Sequence, residues 1–210
     1  MKRIFFKTII VIFACVFCIF ILNSVRNLMI LNNLFEKNER FQMPLNYKII
    51  QTINIKEKNR VTNIIDEYYE KDNIFLCVSR MKNENVENIK KIYYDEKERV
   101  YKSIYSNENN EIISDNIDKK SVISPIYGLF FKRESYDYKS ILKMCFSIIK
   151  SENNCYRIIK IDNSDGYIYI NSETGLIEKI ESITENSVSY IDFQYEENCV
   201  TEELIANYKV

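Results

Sequence analysis

The stretch from Asn154 to Tyr195 is the part of this chain with the fewest alternatives open to it. Three tight turns divide it: Asn163-Ser164-Asp165-Gly166, Ser172-Glu173-Thr174-Gly175 and Glu185-Asn186-Ser187. Gly, Asn, Asp and Ser reach turn conformations that β-branched residues resist, and the runs between the turns are rich in Ile, Tyr and Val. The chain holds only three glycines, and two of them stand in these turns. The segment therefore reads as four short strands in an antiparallel meander. Alternation puts Ile168 and Ile170 on one side of their strand and Tyr167 and Tyr169 on the other. Leu176 and Ile180 share a face, as do Ile191, Phe193 and Tyr195.

A similar rhythm runs from Tyr47 onward. Strands are expected at Tyr47–Ile55, Val61–Tyr69, Ile74–Met81, Ile89–Tyr94, Arg99–Tyr105 and Glu111–Ser114, with polar separators such as Lys71-Asp72-Asn73 and Asp95-Glu96-Lys97-Glu98. Strands at this spacing describe an up-and-down antiparallel sheet.

Between the two β regions lies one helical insert. Ser135 or Asp137 can cap a helix running to about Lys150, with Tyr138, Ile141, Leu142, Cys145, Ile148 and Ile149 on one face. Before it, Val122–Phe131 is apolar but broken by Pro125 and Gly128, so it is neither a long helix nor a segment at ease in water. The expected role of both pieces is a lid over the concave face of the sheet. The candidate lid and hydrophobic ligand contacts are Ile126, Leu129, Phe130, Phe131, Ile141, Cys145, Ile148, Ile168, Ile170 and Ile180.

The N-terminus adds a membrane signal. Ile4 to Leu22 is apolar apart from Lys7 and Thr8, close to the ~20 residues a bilayer requires. Lys2, Arg3 and Lys7 would hold its start on the cytoplasmic side and put the rest of the chain outside. Two alternatives stand beside an uncleaved anchor. A cleaved signal peptide would need a better small-x-small site than Leu22-Asn23-Ser24 offers. Lipidation would use Ile12-Phe13-Ala14-Cys15, although the apolar run continues past Cys15. Beyond it, Val25, Leu28, Met29, Leu31, Leu34 and Phe35 keep helical spacing, which predicts a stalk or a helix on the domain surface, closed off by Pro44. The expected division is an anchor over 1–24, a juxtamembrane helix over 25–43 and an extracytoplasmic domain over 44–210.

Composition narrows the chemistry. Setting aside the three basic residues at the N-terminus leaves 26 basic against 30 acidic residues, with no basic block, which argues against nucleic acid as a partner. The chain has no His, which removes His-dependent triads and His-containing zinc sites. Three glycines at 128, 166 and 175 build neither a dinucleotide fingerprint nor a phosphate loop. The turn acids Asp162, Asp165 and Glu173 lack a complete calcium-loop spacing. No catalytic residue, metal ligand or cofactor is expected, and the chain reads as non-enzymatic. Of six cysteines, Cys15 and Cys18 fall in the apolar run, and Cys77, Cys145, Cys155 and Cys199 lie beyond it with no CxxC among them. Four thiols allow three pairings. Cys155 with Cys199, which bracket the meander, is the first candidate disulfide, against buried free thiols.

The order of these elements, with the turn Tyr169-Ile170-Asn171-Ser172-Glu173-Thr174-Gly175-Leu176 and the closing Cys199-Val200-Thr201-Glu202-Glu203-Leu204, resembles the LolA-like superfamily. That group includes bacterial lipoprotein carriers and the sensor domain of the sigma-E regulator RseB. The layout over residues 46–210 looks like extracytoplasmic members from low-GC Gram-positive bacteria. The resemblance implies a mainly β (α+β) fold, an unclosed β-barrel with a hydrophobic concave face. It also implies a lipid, acyl-chain or lipoprotein ligand, or alternatively a membrane-bound regulator as partner. It supplies no catalytic residue.

Overall fold

The computed structural model describes residues 2–58, 60–83, 86–97, 100–107, 110–114, 129–151, 153–161 and 165–207. The apolar N-terminal run opens a single helix, α1 (Lys2–Arg40). Six strands follow: β1 (Asn46–Glu57), β2 (Arg60–Lys71), β3 (Ile74–Asn83), β4 (Val86–Asp95), β5 (Val100–Asn107) and β6 (Asn110–Ser114). After a 3-10 turn at Arg133–Ser135 come α2 (Tyr138–Ser147), β7 (Ile149–Lys150), β8 (Cys155–Ile159), β9 (Asp165–Asn171), β10 (Ile177–Ile183), β11 (Ser187–Glu197) and α3 (Glu202–Ala206). Among the described residues the strands form one antiparallel sheet in the order β6-β5-β4-β3-β2-β1-β11-β10-β9-β8-β7. It is not closed, and β6 and β7 are its edges. The expected mainly β architecture is thus the observed one, with two meanders joined where β1 pairs with β11 from Tyr47↔Glu197 to Glu57↔Ser187.

Local chemistry explains the turns. Asn171 Oδ1 accepts hydrogen bonds from the amides of Glu173 (2.8 Å) and Thr174 (3.0 Å), and Gly175 follows with φ +76°. A Cβ on Gly175 would come within 2.9 Å of the Leu34 carbonyl oxygen on α1, so this glycine also lets a helix touch the turn. Half of the turn at 163–166, Asn163 and Ser164, lies outside the described residues. Gly166 itself sits in β9 with φ +149°, where a Cβ would stand 1.9 Å from the Glu181 carbonyl oxygen. A bulge between Ile177 and Lys179 in β10 brings both Ile177 and Ile180 to the core.

The inner face carries the core. Cross-strand neighbours Tyr195, Ile49, Tyr68, Cys77 and Ile92 lie in one row across five strands. With Phe75, Tyr94, Ile158, Ile168, Ile170 and Phe193 they belong to a single apolar cluster. Two helices and the 129–131 segment cover it. Leu31, Leu34 and Phe35 of α1 are buried in this cluster. The stalk stripe therefore divides: Val25, Leu28 and Met29 face solvent, while Leu31, Leu34 and Phe35 are part of the core. Asn27 and Asn38 are buried on the same side and find partners, Asn27 Nδ2 donating to the Cys145 carbonyl (2.5 Å) and Asn38 Nδ2 to the Gly175 carbonyl (3.0 Å).

Asp137 rather than Ser135 caps α2, its Oδ1 accepting from the Ser140 amide at 2.7 Å. The helix stops at Ser147, short of the expected Lys150. Ile148 turns extended (φ −69°, ψ 118°), and Ile149 and Lys150 pair with Arg157 and Tyr156 as the edge strand β7. Two adjacent β-branched residues beside an open strand edge satisfy more backbone there than a frayed helical turn would.

Candidate functional site

The inner face gathers most of the residues singled out as a lid and binding surface. Leu129, Phe131, Cys145, Ile148, Ile168 and Ile170 are buried in the one core cluster, and Phe130, Ile141 and Ile180 are half-buried against it. Ile126 lies outside the described residues. The 129–131 segment is tied to the sheet by a bridge between Phe130 and Leu176 and to α1 by the stack of Phe131 on Phe35, ring centroids 4.8 Å apart. Phe131 also packs against Tyr136 at 5.3 Å. Sequence reasoning missed the third component. Helix α1 packs into the same core, where its Leu31, Leu34 and Phe35 are at most 2% exposed. The helical stripe was visible in the sequence, but nothing local says where it docks.

Tyr47, Cys77 and Cys145 are buried on this face. Tyr47 donates its hydroxyl to Glu70, and burial followed by that carboxylate pushes its pKa up. Burial likewise pushes the Cys77 thiol up to about 12, helped by the charge of Asp66. Cys145 is raised by burial too. These thiols stay protonated at neutral pH and are poor nucleophiles.

The outer face is built differently. Register places Thr52, Asp192, Lys179, Tyr169 and Arg157 in one row across β1, β11, β10, β9 and β8. The next outward row is Asn54, Tyr190, Glu181, Tyr167 and Ile159. Lys179 Nζ lies 5.5 Å from the Tyr169 ring centre and 4.9 Å from that of Tyr190, and the Arg157 guanidinium lies 4.5 Å from Tyr167. The Tyr169 hydroxyl donates to Glu181 at 3.2 Å. Along the first of these rows opens a groove of about 760 Å³ lined by Thr52, Cys155, Tyr169, Glu178, Lys179 and Asp192 among others. The shared side of Tyr167 and Tyr169 was legible from alternation. The cation at 179 beside Tyr169 and Tyr190 was not, because the bulge at Glu178 sets its position.

Cys155 and Cys199, the candidate disulfide, are both free thiols. Cys155 donates to Glu178 Oε2 at 2.9 Å, and Cys199 to the Glu196 carbonyl at 3.6 Å. Strands β9 and β10 lie between β8 and β11, and neighbouring strands are about 4.8 Å apart, beyond the reach of one disulfide. Bracketing a meander in sequence does not bring its ends together when the strands fan out side by side. Burial and then Glu178 push the Cys155 thiol up to about 12. Among the described residues no group of three or more His, Cys, Asp or Glu side chains is placed to hold a metal ion.

No protein-family model matches the chain, and no curated protein matches its sequence. Its fold is similar to those of solved structures. A LolA superfamily protein from Nitrosomonas europaea matches at 8% identity over 83% of this chain and 96% of that one, with TM-score 0.29. An outer membrane lipoprotein-sorting protein domain from Vibrio parahaemolyticus matches at 8% identity over 88% and 97%, with TM-score 0.32. MucB, in complex with MucA(peri), matches at 11% identity over 84% of this chain and 57% of that one, with TM-score 0.30. At these scores no residue role is carried from them to this chain.

Proposed function

We propose that the protein is a non-enzymatic, membrane-anchored extracytoplasmic interaction module. In this reading it recognises a lipoprotein or a membrane-bound regulator through its outer face, and its inner face is kept closed by its own helix. One helix is long and apolar enough to cross a membrane, and it is the same helix that enters the core. The supporting observation is the burial of Leu31, Leu34 and Phe35 in the core on the inner face. An acyl chain on the inner face would have to displace these side chains, each stabilised by about 1.5–3 kcal/mol of burial. The open groove offers instead alternating charges and aromatic rings, which suit a polypeptide segment. The absence of His from the chain and the raised thiols favour binding over catalysis.

Native mass spectrometry of the full chain extracted from membranes in detergent tests the reading. The expected result is a protein partner retained by the wild type and lost from Lys179→Ala, with no lipid bound in fixed ratio. One lipid per chain surviving detergent exchange, indifferent to Lys179→Ala, would establish the inner face as a lipid site and reject the proposal.

A further inference from the structure

Helix α2 runs antiparallel to α1 and ends beside the apolar span. Tyr136, just before α2, lies 6.4 Å from the Phe35 ring, and the Cys145 carbonyl near its end meets Asn27. Next to it, Phe146 stacks on Phe20 with ring centroids 5.0 Å apart and planes inclined by 13°. Phe20 belongs to the Ile4–Leu22 run, which at about 1.5 Å per residue matches a hydrocarbon core of ~30 Å. Where that run crosses a bilayer, Phe20 sits just beneath its outer boundary, and Phe146 is held at the same depth. Yet Phe146 is 55% exposed, and Ile149 beside it is 49% exposed. Lys143 and Lys150 are exposed in the same short stretch. Apolar rings at the boundary with lysines able to reach outward is the arrangement by which peripheral segments sit in a headgroup layer.

We propose that the membrane-facing end of α2, through Phe146 and Ile149 with Lys143 and Lys150 around them, rests in the headgroup region of the bilayer that α1 spans. The domain then has a second, peripheral membrane contact that sets its tilt and presents the outer-face groove in a fixed orientation. The inference rests on the anchored reading of α1. The occupant is lipid rather than a second protein because the patch is continuous, through Phe20, with the span itself.

The chain has no Trp, so single reporters can be introduced one at a time. Full-length Phe13→Trp, Phe146→Trp, Ile149→Trp and Tyr138→Trp would be reconstituted in vesicles of phosphatidylcholine and phosphatidylglycerol with brominated acyl chains. Tyr138 is exposed at the opposite end of α2, about 12 Å further from the membrane along the helix. Strong quenching is expected for Phe13→Trp, and several-fold more quenching for Phe146→Trp and Ile149→Trp than for Tyr138→Trp. Quenching at Phe13→Trp with none at Phe146→Trp or Ile149→Trp overturns the docking and leaves the anchor standing. No quenching at Phe13→Trp overturns both. A blue-shifted Phe146→Trp that bromolipid does not touch means protein covers the patch, which also overturns it. The Ile149→Trp reporter lies outside the ring stack and keeps the test valid if Phe146→Trp disturbs packing.

Discussion

The two faces of this sheet are finished in opposite ways. The inner face is aliphatic and aromatic, and the chain covers it three times over with α1, the 129–131 segment and α2. The outer face over β8 to β11 and β1 alternates cations, acids and tyrosines and is left open. One exception explains the rule. On the outer side of β2, β3 and β4 the row Tyr69, Leu76 and Tyr93 is apolar, and there the C-terminal α3 packs with Val200 and Ile205. Thr201 caps that helix, and Lys71 reaches Glu202 at 2.6 Å. Cover follows apolar side chains strand by strand, because only there does burial offset the entropy of ordering another element. The open surface that remains is the part available to a partner.

The sharpest way to break this contrast is to open the inner face. Phe131→Ala removes the ring between Phe35 and Tyr136 and should destabilise the domain by about 3–5 kcal/mol in denaturant titrations of the detergent-solubilised chain. A loss below about 1 kcal/mol would mean that the lid is loosely held. Replacing Phe130 and Phe131 together by Asp should prevent folding, since it puts charge into the closed face.

A smaller effect tests whether α1 belongs to the domain. Asn38→Ala leaves the buried Gly175 carbonyl without its partner and should cost about 1–3 kcal/mol. An unchanged midpoint would show α1 to be a mere stalk. On the outer face Lys179→Ala loses contacts to two rings, worth about 0.5–1 kcal/mol each at exposed sites, so the melting temperature should move little while partner retention is lost.

The last effect is absent at neutral pH. Cys77 on the inner face and Cys155 on the outer both rise from 9.0 to about 12. Between those values the folded chain holds protons that the unfolded chain releases, so stability is full below about pH 9 and falls as pH climbs toward 12. Stability curves at pH 8 and pH 10 should converge in part for Cys77→Ala and Cys155→Ala. A slope identical to that of the wild type would sink the assignment.

Several features were legible in the residues alone. The turn at Ser172–Gly175, the alternation of Ile168 and Ile170 against Tyr167 and Tyr169, a helix cap at Ser135 or Asp137 and the apolar length of Ile4–Leu22 all depend on neighbours within a few positions, where periodicity and turn chemistry speak directly. That Leu129 and Phe131 are buried was foreseeable because an apolar stretch broken by Pro and Gly needs cover. Only the tertiary structure decided that Leu31, Leu34 and Phe35 enter the core while Val25, Leu28 and Met29 do not. Both sets have the same spacing and chemistry, and the difference lies in what stands opposite. The same holds for the free thiols of Cys155 and Cys199 and for Lys179 between two tyrosines. The separation of the two thiols depends on strand order, the place of Lys179 on the bulge in β10, and the seating of α1 on contacts from Lys37 to Ser172 and from Asn38 to Gly175, more than a hundred positions apart.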